Sequence, residues 1–237
     1  MTDSNTLSGK LAVVTGASRG IGAATAEALA AAGAHVILVA RSTAALEQVE
    51  ERIHEAGGSA TIAPLDLTDG TSVSKLAAAV AERWGKLDIL ILNAAMLGSL
   101  TPVQDIDPKE YARVLTLNVG ANQALIAAFD PLLRKSEGAD VVGLTSTVGH
   151  EARAFWGAYG SSKAALENML GAYADENANR TIRVHILNPG ATRTRMRQLA
   201  YPGEEPETVK PPEAVGKAIV ERLLAEAPTG ELVKLDA

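Results

Sequence analysis

Tyr159 and Lys163 stand four residues apart in a stretch with helical character, which puts both side chains on one helix face. A tyrosine hydroxyl, with an ordinary pKa of about 10, is a poor base near neutral pH. A neighbouring ammonium favours the phenolate and brings that value toward the working range of an acid–base group. The pair therefore suits passing a proton to or from an alcohol oxygen. Ser146 ends an apolar run upstream, where its hydroxyl could hold a carbonyl oxygen and stabilise a developing alkoxide. Each feature alone is common. A Tyr-x-x-x-Lys spacing is often an exposed helical pair, and a strand-end serine is often only that.

A second constellation lies near the start of the chain. TGASRGIG, Thr15 to Gly22, sits between the first strand-like run and the first helix-like run. Gly16, Gly20 and Gly22, with Ser18, Arg19 and Ile21 among them, follow the pattern G-x-x-x-G-x-G. Glycines after a strand let the backbone approach a pyrophosphate, which then faces free N–H groups and a helix dipole. The spacing is not the G-x-G-x-x-G fingerprint, and alone it also reads as a plain tight turn. In the dinucleotide fold an acidic residue ending the second strand takes the ribose 2′-OH. Here that strand ends in Ala40 and Arg41, with no carboxylate beside them in sequence. Arg41, with Arg19, can pair with a 2′-phosphate. Each arginine alone reads equally as a solvated surface group. Behind a glycine loop they favour NADP(H), with NAD(H) as a second cofactor.

The elements that must position these residues alternate along the whole chain. Strands are predicted at 10–15, 34–40, 60–67, 87–93, 140–146, 181–188 and 231–235. Helices are predicted at 21–32, 43–56, 71–84, from Pro108 to about Lys135 with a break near Asn118, and from Ala158 to about Asn177. Apolar strands without alternation are buried on both faces. The expected fold is α/β: a Rossmann-type, doubly wound, seven-stranded parallel sheet with helices on both faces. The 237 residues fit one domain, 1–237, with a long irregular stretch at 191–212 read as a substrate loop or lid.

Composition narrows the class. A net charge of -6 argues against a nucleic-acid surface. The chain has no cysteine, so disulfides and thiolate metal sites are excluded, and no metal is expected. Asp3 and the lack of a basic, then apolar, leader argue against secretion. No segment reads as a membrane span. A cytoplasmic location is expected.

Taken together, the motifs resemble those of the short-chain dehydrogenase/reductase family, single-domain branch, from Lys10 to about Leu235. TGASRGIG resembles its cofactor loop. The resemblance implies that Asp66 and Leu67 contact adenine. It implies that Asn93 and Ala94 line the cofactor, with Ala95 where the family usually has glycine. NPGATRT, with Pro189, Gly190, Thr192 and Thr194, resembles the segment that grips the nicotinamide carboxamide. Ser146 stands thirteen residues before Tyr159, as the family's serine usually does. The implied activity is hydride exchange between a nicotinamide and a small carbonyl or secondary alcohol. Tyr159 would be its acid–base group, and Lys163 would lower the tyrosine pKa and hold the nicotinamide ribose. Ser146 would orient the carbonyl, and Asn118 would support a water relay. A homodimer or homotetramer packed through the Asn118 and Tyr159 helices is also implied.

Two other readings compete. One is a catalytically silent dinucleotide-binding or sensing protein on the same fold. The other is an epimerase or dehydratase, which would need further substrate-binding residues at the C-terminus. His150, Arg153, Phe155 and Trp156 read either as pocket lining or as exposed loop. Arg193, Arg195 and Arg197 read as a lid or an anion grip. His185 and Trp84 read as structural.

Overall fold

The computed structural model describes residues 6–235; Asp3 lies outside them. Strands β1 (Leu11–Thr15), β2 (His35–Ala40), β3 (Ser59–Pro64), β4 (Ile89–Leu92), β5 (Ala139–Leu144), β6 (Ile182–Asn188) and β7 (Leu232–Lys234) form one sheet in the order β3-β2-β1-β4-β5-β6-β7. Every neighbouring pair is parallel. Between the strands run α1 (Gly20–Ala31), α2 (Thr43–Glu55), α3 (Gly70–Trp84), α4 (Pro108–Leu115), α5 (Ala121–Leu133), α6 (Gly157–Glu176), α7 (Arg195–Ala200) and α8 (Pro212–Leu224). This is the doubly wound Rossmann-type architecture.

The apolar runs of the central strands explain the layering. Successive side chains of a strand point to opposite faces. In β1, Leu11 and Val13 enter a core built with α3, α5 and α6. Ala12 and Val14 enter the opposite core, built with α1, α2 and α8. Val36 and Leu38 of β2 and Ile89 and Ile91 of β4 repeat the second assignment. Helix limits follow local chemistry. The Asp69 carboxylate accepts from Thr71 N–H at 3.0 Å to open α3, and Gly85 closes it at φ 77°. Asp107 accepts from Glu110 N–H at 2.7 Å, one residue before Pro108.

Four local departures from the sequence expectation bear on the site. β3 stops at Pro64, not at Leu67. β5 stops at Leu144, and the chain leaves the sheet through a 3-10 turn at Thr147–Gly149, so Ser146 stands just beyond the strand. The break near Asn118 is a π-helical turn, Thr116–Gly120, joining α4 to α5. The 191–212 stretch is not irregular throughout. It holds α7 and a 3-10 turn at Pro206–Thr208, and its ends are joined by a Thr192–Lys210 bridge. Helix α8 was not among the expected helices, although Pro212 followed by Val215, Ile219, Val220 and Leu223 gives the apolar spacing that buries one face.

The N-terminal edge of the sheet, opposite the motifs, is sealed by two buried carboxylates. Asp88 accepts from Leu11 N–H at 2.9 Å and from Ser136 Oγ at 2.6 Å, and pairs with Lys86 at 3.0 Å. Asp140 pairs with Arg183 at 2.8 Å and with His185 Nε2 at 2.8 Å. Burial opposes the charge of Asp140, but its bonds from Arg183 and His185 prevail and hold it below the usual carboxylate range. Among the described residues, no helix is long and apolar enough to cross a membrane.

Helices α1 and α8 cross with no room to spare: a Cβ added at Gly216 would lie 2.6 Å from the Ala24 carbonyl oxygen. Gly216→Val should destabilise the protein by the roughly 1–3 kcal/mol that overpacking costs. A Cβ at Gly171, within α6, would meet nothing within 4 Å. Gly171→Ala should instead stabilise by about 0.4–1 kcal/mol. Denaturant unfolding of the two variants checks both signs.

Candidate active site

β1 to β3 are laid down outward on one side of β1, and the chain returns to set β4 on the other side. In such sheets, ligands bind beyond the strand C-termini, where the order reverses. The loops after β1, β4, β5 and β6 carry TGASRGIG, Asn93, Ser146 and NPGATRT to that edge.

The glycine loop is held to β4 by one hydroxyl. Thr15 Oγ1 donates to Ile91 O at 2.9 Å and accepts from the N–H groups of Asn93 (3.0 Å) and Ala94 (3.1 Å). Asn93 returns its amide to Thr15 O at 2.8 Å. Gly16 sits at φ 66°, and a Cβ there would meet Asn93 Nδ2 at 2.8 Å. A Cβ on Gly22 would meet Gly16 O at 2.3 Å. Gly20 lies against Thr194, so NPGATRT closes on the loop from the far side of the crevice. No side chain caps α1, and its first turn holds no acidic residue. The chain therefore supplies no anion of its own to that dipole, and the cradle fits a pyrophosphate. Ala95, in place of the family's glycine, is not in the left-handed region, so its Cβ brings no backbone strain.

Arg41 is exposed just beyond β2, and Asp66 just beyond β3. Asp66 accepts from Thr68 N–H at 2.9 Å and from its hydroxyl at 2.8 Å. Those bonds, with a smaller contribution from the Arg41 charge, hold its carboxyl below the usual range. Along the sequence Arg41 has no acidic neighbour; the parallel pairing of β2 and β3 brings Asp66 within electrostatic reach. Leu67 is buried. Thr192 is buried with its hydroxyl toward Gly190 O, and Thr194 caps α7, accepting from Arg197 N–H at 3.2 Å.

Helix α6 places Tyr159 and Lys163 together, both buried. Lys163 Nζ donates to Leu144 O at 2.8 Å and lies 5.6 Å from the centre of the Tyr159 ring. Burial pushes the Tyr159 hydroxyl above its ordinary value. That direction is opposite to the one a facing ammonium would impose, and burial is its cause. Burial brings Lys163 down to about 8, against the upward pull of Glu167 one turn on. Gly160, in the first turn of α6, packs on Val148 O in the turn after Ser146, which brings the Ser146 segment against the helix.

Asn118 is fully buried in the π turn, and its side chain ties two segments together. Its Oδ1 accepts from Met96 N–H at 2.9 Å, and its Nδ2 donates to Met96 O at 2.9 Å and to Ser162 Oγ at 3.0 Å. Ser162 Oγ in turn donates to Tyr159 O at 2.7 Å. Asn122 Nδ2 donates to Asn118 O at 2.8 Å. The π turn thus fastens the loop after β4 to α6. Thr15, Ser162 and Asn122 were not singled out from the sequence; only Thr15, inside the glycine motif, carried a visible signal.

The segments before α6 and around α7 meet beside Tyr159. The Trp156 ring stands 6.0 Å from Tyr159, edge-on, and 5.9 Å from Tyr201. Arg153 donates to the Tyr201 hydroxyl at 2.6 Å, and the Arg197 guanidinium lies 3.7 Å from the Tyr201 ring centre while pairing with Glu204 at 2.7 Å. Phe155, at φ 73° and mostly exposed, takes a hydrogen bond from Thr101 N–H at 3.1 Å on its carbonyl. His150 turns to Glu167. Arg193 and Arg195 are exposed.

Lys163 titrates lower in the fold than its ordinary 10.5. Between about pH 8 and 10.5 the unfolded chain therefore binds more protons than the native one, and stability from this residue rises with pH across that window. The Tm of the native chain relative to Lys163→Met should rise as pH passes from 8 to 10.5, followed by calorimetry.

Residues 10–205 match the family model described as short chain dehydrogenase. The oxidoreductase YciK of Escherichia coli K12 is 41% identical over 209 residues, covering 87% of this chain and 82% of that protein. A solved short chain dehydrogenase of Escherichia coli complexed with NADPH superposes with a TM-score of 0.94 at 36% identity, covering 99% of this chain and all of that one. A Shigella flexneri short chain dehydrogenase complexed with NADP gives 0.93 at 36% identity, covering 98% and 99%. The crevice at the strand reversal, with its glycine cradle and its Tyr–Lys helix, is thus that of a chain belonging to the short chain dehydrogenase family of oxidoreductases.

Proposed function

We propose that this protein is an NADP(H)-dependent oxidoreductase that interconverts a carbonyl and a secondary alcohol, with Tyr159 as its acid–base group. One observation carries the reading: α6 buries Tyr159 with Lys163 against the Ser146 segment, at the edge where the glycine cradle closes on Asn93. The NADP(H) complexes of the Escherichia coli and Shigella relatives support the choice of cofactor. NAD(H) is the second choice.

Gly16, Ser18, Arg19, Gly20, Ile21 and Gly22 hold the pyrophosphate, and Arg41 with Arg19 pairs with the 2′-phosphate. Asp66 and Leu67 border the adenine, and Asn93 and Ala94 floor the site. Pro189, Gly190, Thr192 and Thr194 hold the carboxamide. When bound, the cofactor supplies or accepts the hydride at its nicotinamide ring. Ser146 Oγ hydrogen-bonds the substrate oxygen and stabilises charge that develops there. Tyr159 Oη delivers the proton to that oxygen in reduction and removes it in oxidation. A hydroxyl held protonated by burial suits the first direction. The Lys163 ammonium stabilises the phenolate left behind and reaches the nicotinamide ribose. Asn118 supports the water relay, and its side chain keeps the loop after β4 in place through Met96. The chain works as one domain, with 191–212 as the lid, in a cytoplasmic homodimer or homotetramer.

Tyr159→Phe should lower kcat by about 10²–10⁴, the usual contribution of a positioned acid–base group. NADPH should still bind, as read by fluorescence titration. Arg41→Asp should weaken NADPH by about tenfold or more, the loss of a charge-assisted bond, and shift preference toward NADH. Unchanged selectivity would remove Arg41 from the site. A panel of aryl, alkyl, thioester and sugar carbonyls, followed by NADPH absorbance, tests the whole reading. Tight NADPH binding with no turnover on any class is what a silent dinucleotide-binding protein would give.

A further inference from the structure

Glu167 belongs to none of the motifs described above, yet the turn that carries Ser146 is fastened to it. Helix α6 sets Tyr159, Lys163 and Glu167 at intervals of four, on one face. The Glu167 carboxylate is largely buried. Its Oε1 accepts a hydrogen bond from Thr145 Oγ1, the residue before Ser146. The same oxygen lies 3.2 Å from His150 Nδ1, just past the 3-10 turn. Between them, Gly149 leaves room for the carboxylate, since a Cβ there would lie 2.5 Å from Oε1. A separate tether from β6, Asn188 Nδ2 to Thr147 Oγ1 at 3.0 Å, holds the middle of the turn. Ser146 is thereby fixed on both sides, and two of the three fastenings end on one carboxylate oxygen.

We propose that Glu167 is a positioning residue of this site: it fixes the Ser146 turn through Thr145 and His150, and its charge supports the Lys163 ammonium. The inference rests on the reading of Ser146 and Lys163 given under the proposed function. The titratable groups facing Lys163 are Tyr159 and Glu167 of its own helix, while β5 faces it with the Leu144 carbonyl. His150 faces Glu167 from the turn. The tether and the charge separate chemically. Glu167→Gln keeps an acceptor for Thr145 and His150 but removes the charge; Glu167→Ala removes both. Thr145→Val removes only the tether and leaves α6 untouched.

The test measures kcat and KM with NADPH and the carbonyl reduced fastest in the panel, together with Tm against pH. Glu167→Ala and Thr145→Val should each lose about ten- to a hundredfold in kcat, the cost of a displaced reacting group, with KM for NADPH within about threefold. Glu167→Gln should retain more activity than Glu167→Ala and move the pH profile, because Lys163 then loses its proton below its present value of about 8. In a double-mutant cycle, Glu167→Gln should lower Tm more in the native background than in Lys163→Met at pH 7. That coupling should fade once Lys163 is neutral. A kcat within twofold of native in both Glu167→Ala and Thr145→Val, or a cycle without pH-dependent coupling, overturns the proposal. If the native protein reduces no carbonyl, the reading of the reaction fails, and the cycle still decides for or against Glu167.

Discussion

One buried hydroxyl joins the two halves of this molecule. Thr15 ends β1, and its Oγ1 serves three partners on the other side of the strand reversal, at Ile91, Asn93 and Ala94. A crevice between β1 and β4 exists only if the loops leaving those strands keep a fixed separation. A residue with one donor and two acceptor positions, fully buried, meets that need without leaving a polar group unpaired. The glycine cradle depends on it. Gly16 and Gly22 approach Asn93 so closely that no other side chain fits, and Asn93 is where it is because Thr15 holds its backbone. Fold and proposed cofactor site are in this sense one structure, sharing one set of hydrogen bonds.

The proposed chemistry rests on a different constraint, charge in a buried place. Lys163 is nearly inaccessible and holds its proton against desolvation with help from a strand-end carbonyl and from Glu167. Tyr159 beside it is held in the neutral form. A buried tyrosine and a buried ammonium on one helix face make a pair that is unfavourable for stability and of the perturbed kind the proposed proton transfer calls for. The surrounding helix tolerates it because the ammonium has an acceptor within hydrogen-bond distance. Beside Tyr159, the Arg153–Tyr201–Trp156 contacts tie α7 to the segment before α6 and reach the tyrosine edge-on. Phe155 keeps its unusual backbone because Thr101 fastens its carbonyl.

Most of the fold was legible in the chain because a parallel sheet buried on both faces demands continuous apolar strands, and these recur with helices between them. The glycine loop, Tyr159 and Lys163 were legible because their backbone conformations or chemistry restrict the residue types allowed. Helix α7 and the order within 191–212 escaped notice, since a six-residue helix fastened by a single bridge leaves little periodicity. Strand ends were misjudged at Leu67 and Ser146 because pairing partners, not local propensity, decide where a ladder stops.

The sequence by itself determined the alternation of elements, the cradle of glycines and the helical spacing of tyrosine and lysine, all of which follow from local backbone and side-chain chemistry. Only the tertiary structure decided which way Lys163 points, that Asp66 faces Arg41, that Asn118 clamps Met96, and that Glu167 underlies the Ser146 turn. Those are interactions between residues 17 to 25 positions apart. Their geometry is set by how strands pair and how α6 packs on β5, and no local preference of the chain encodes it.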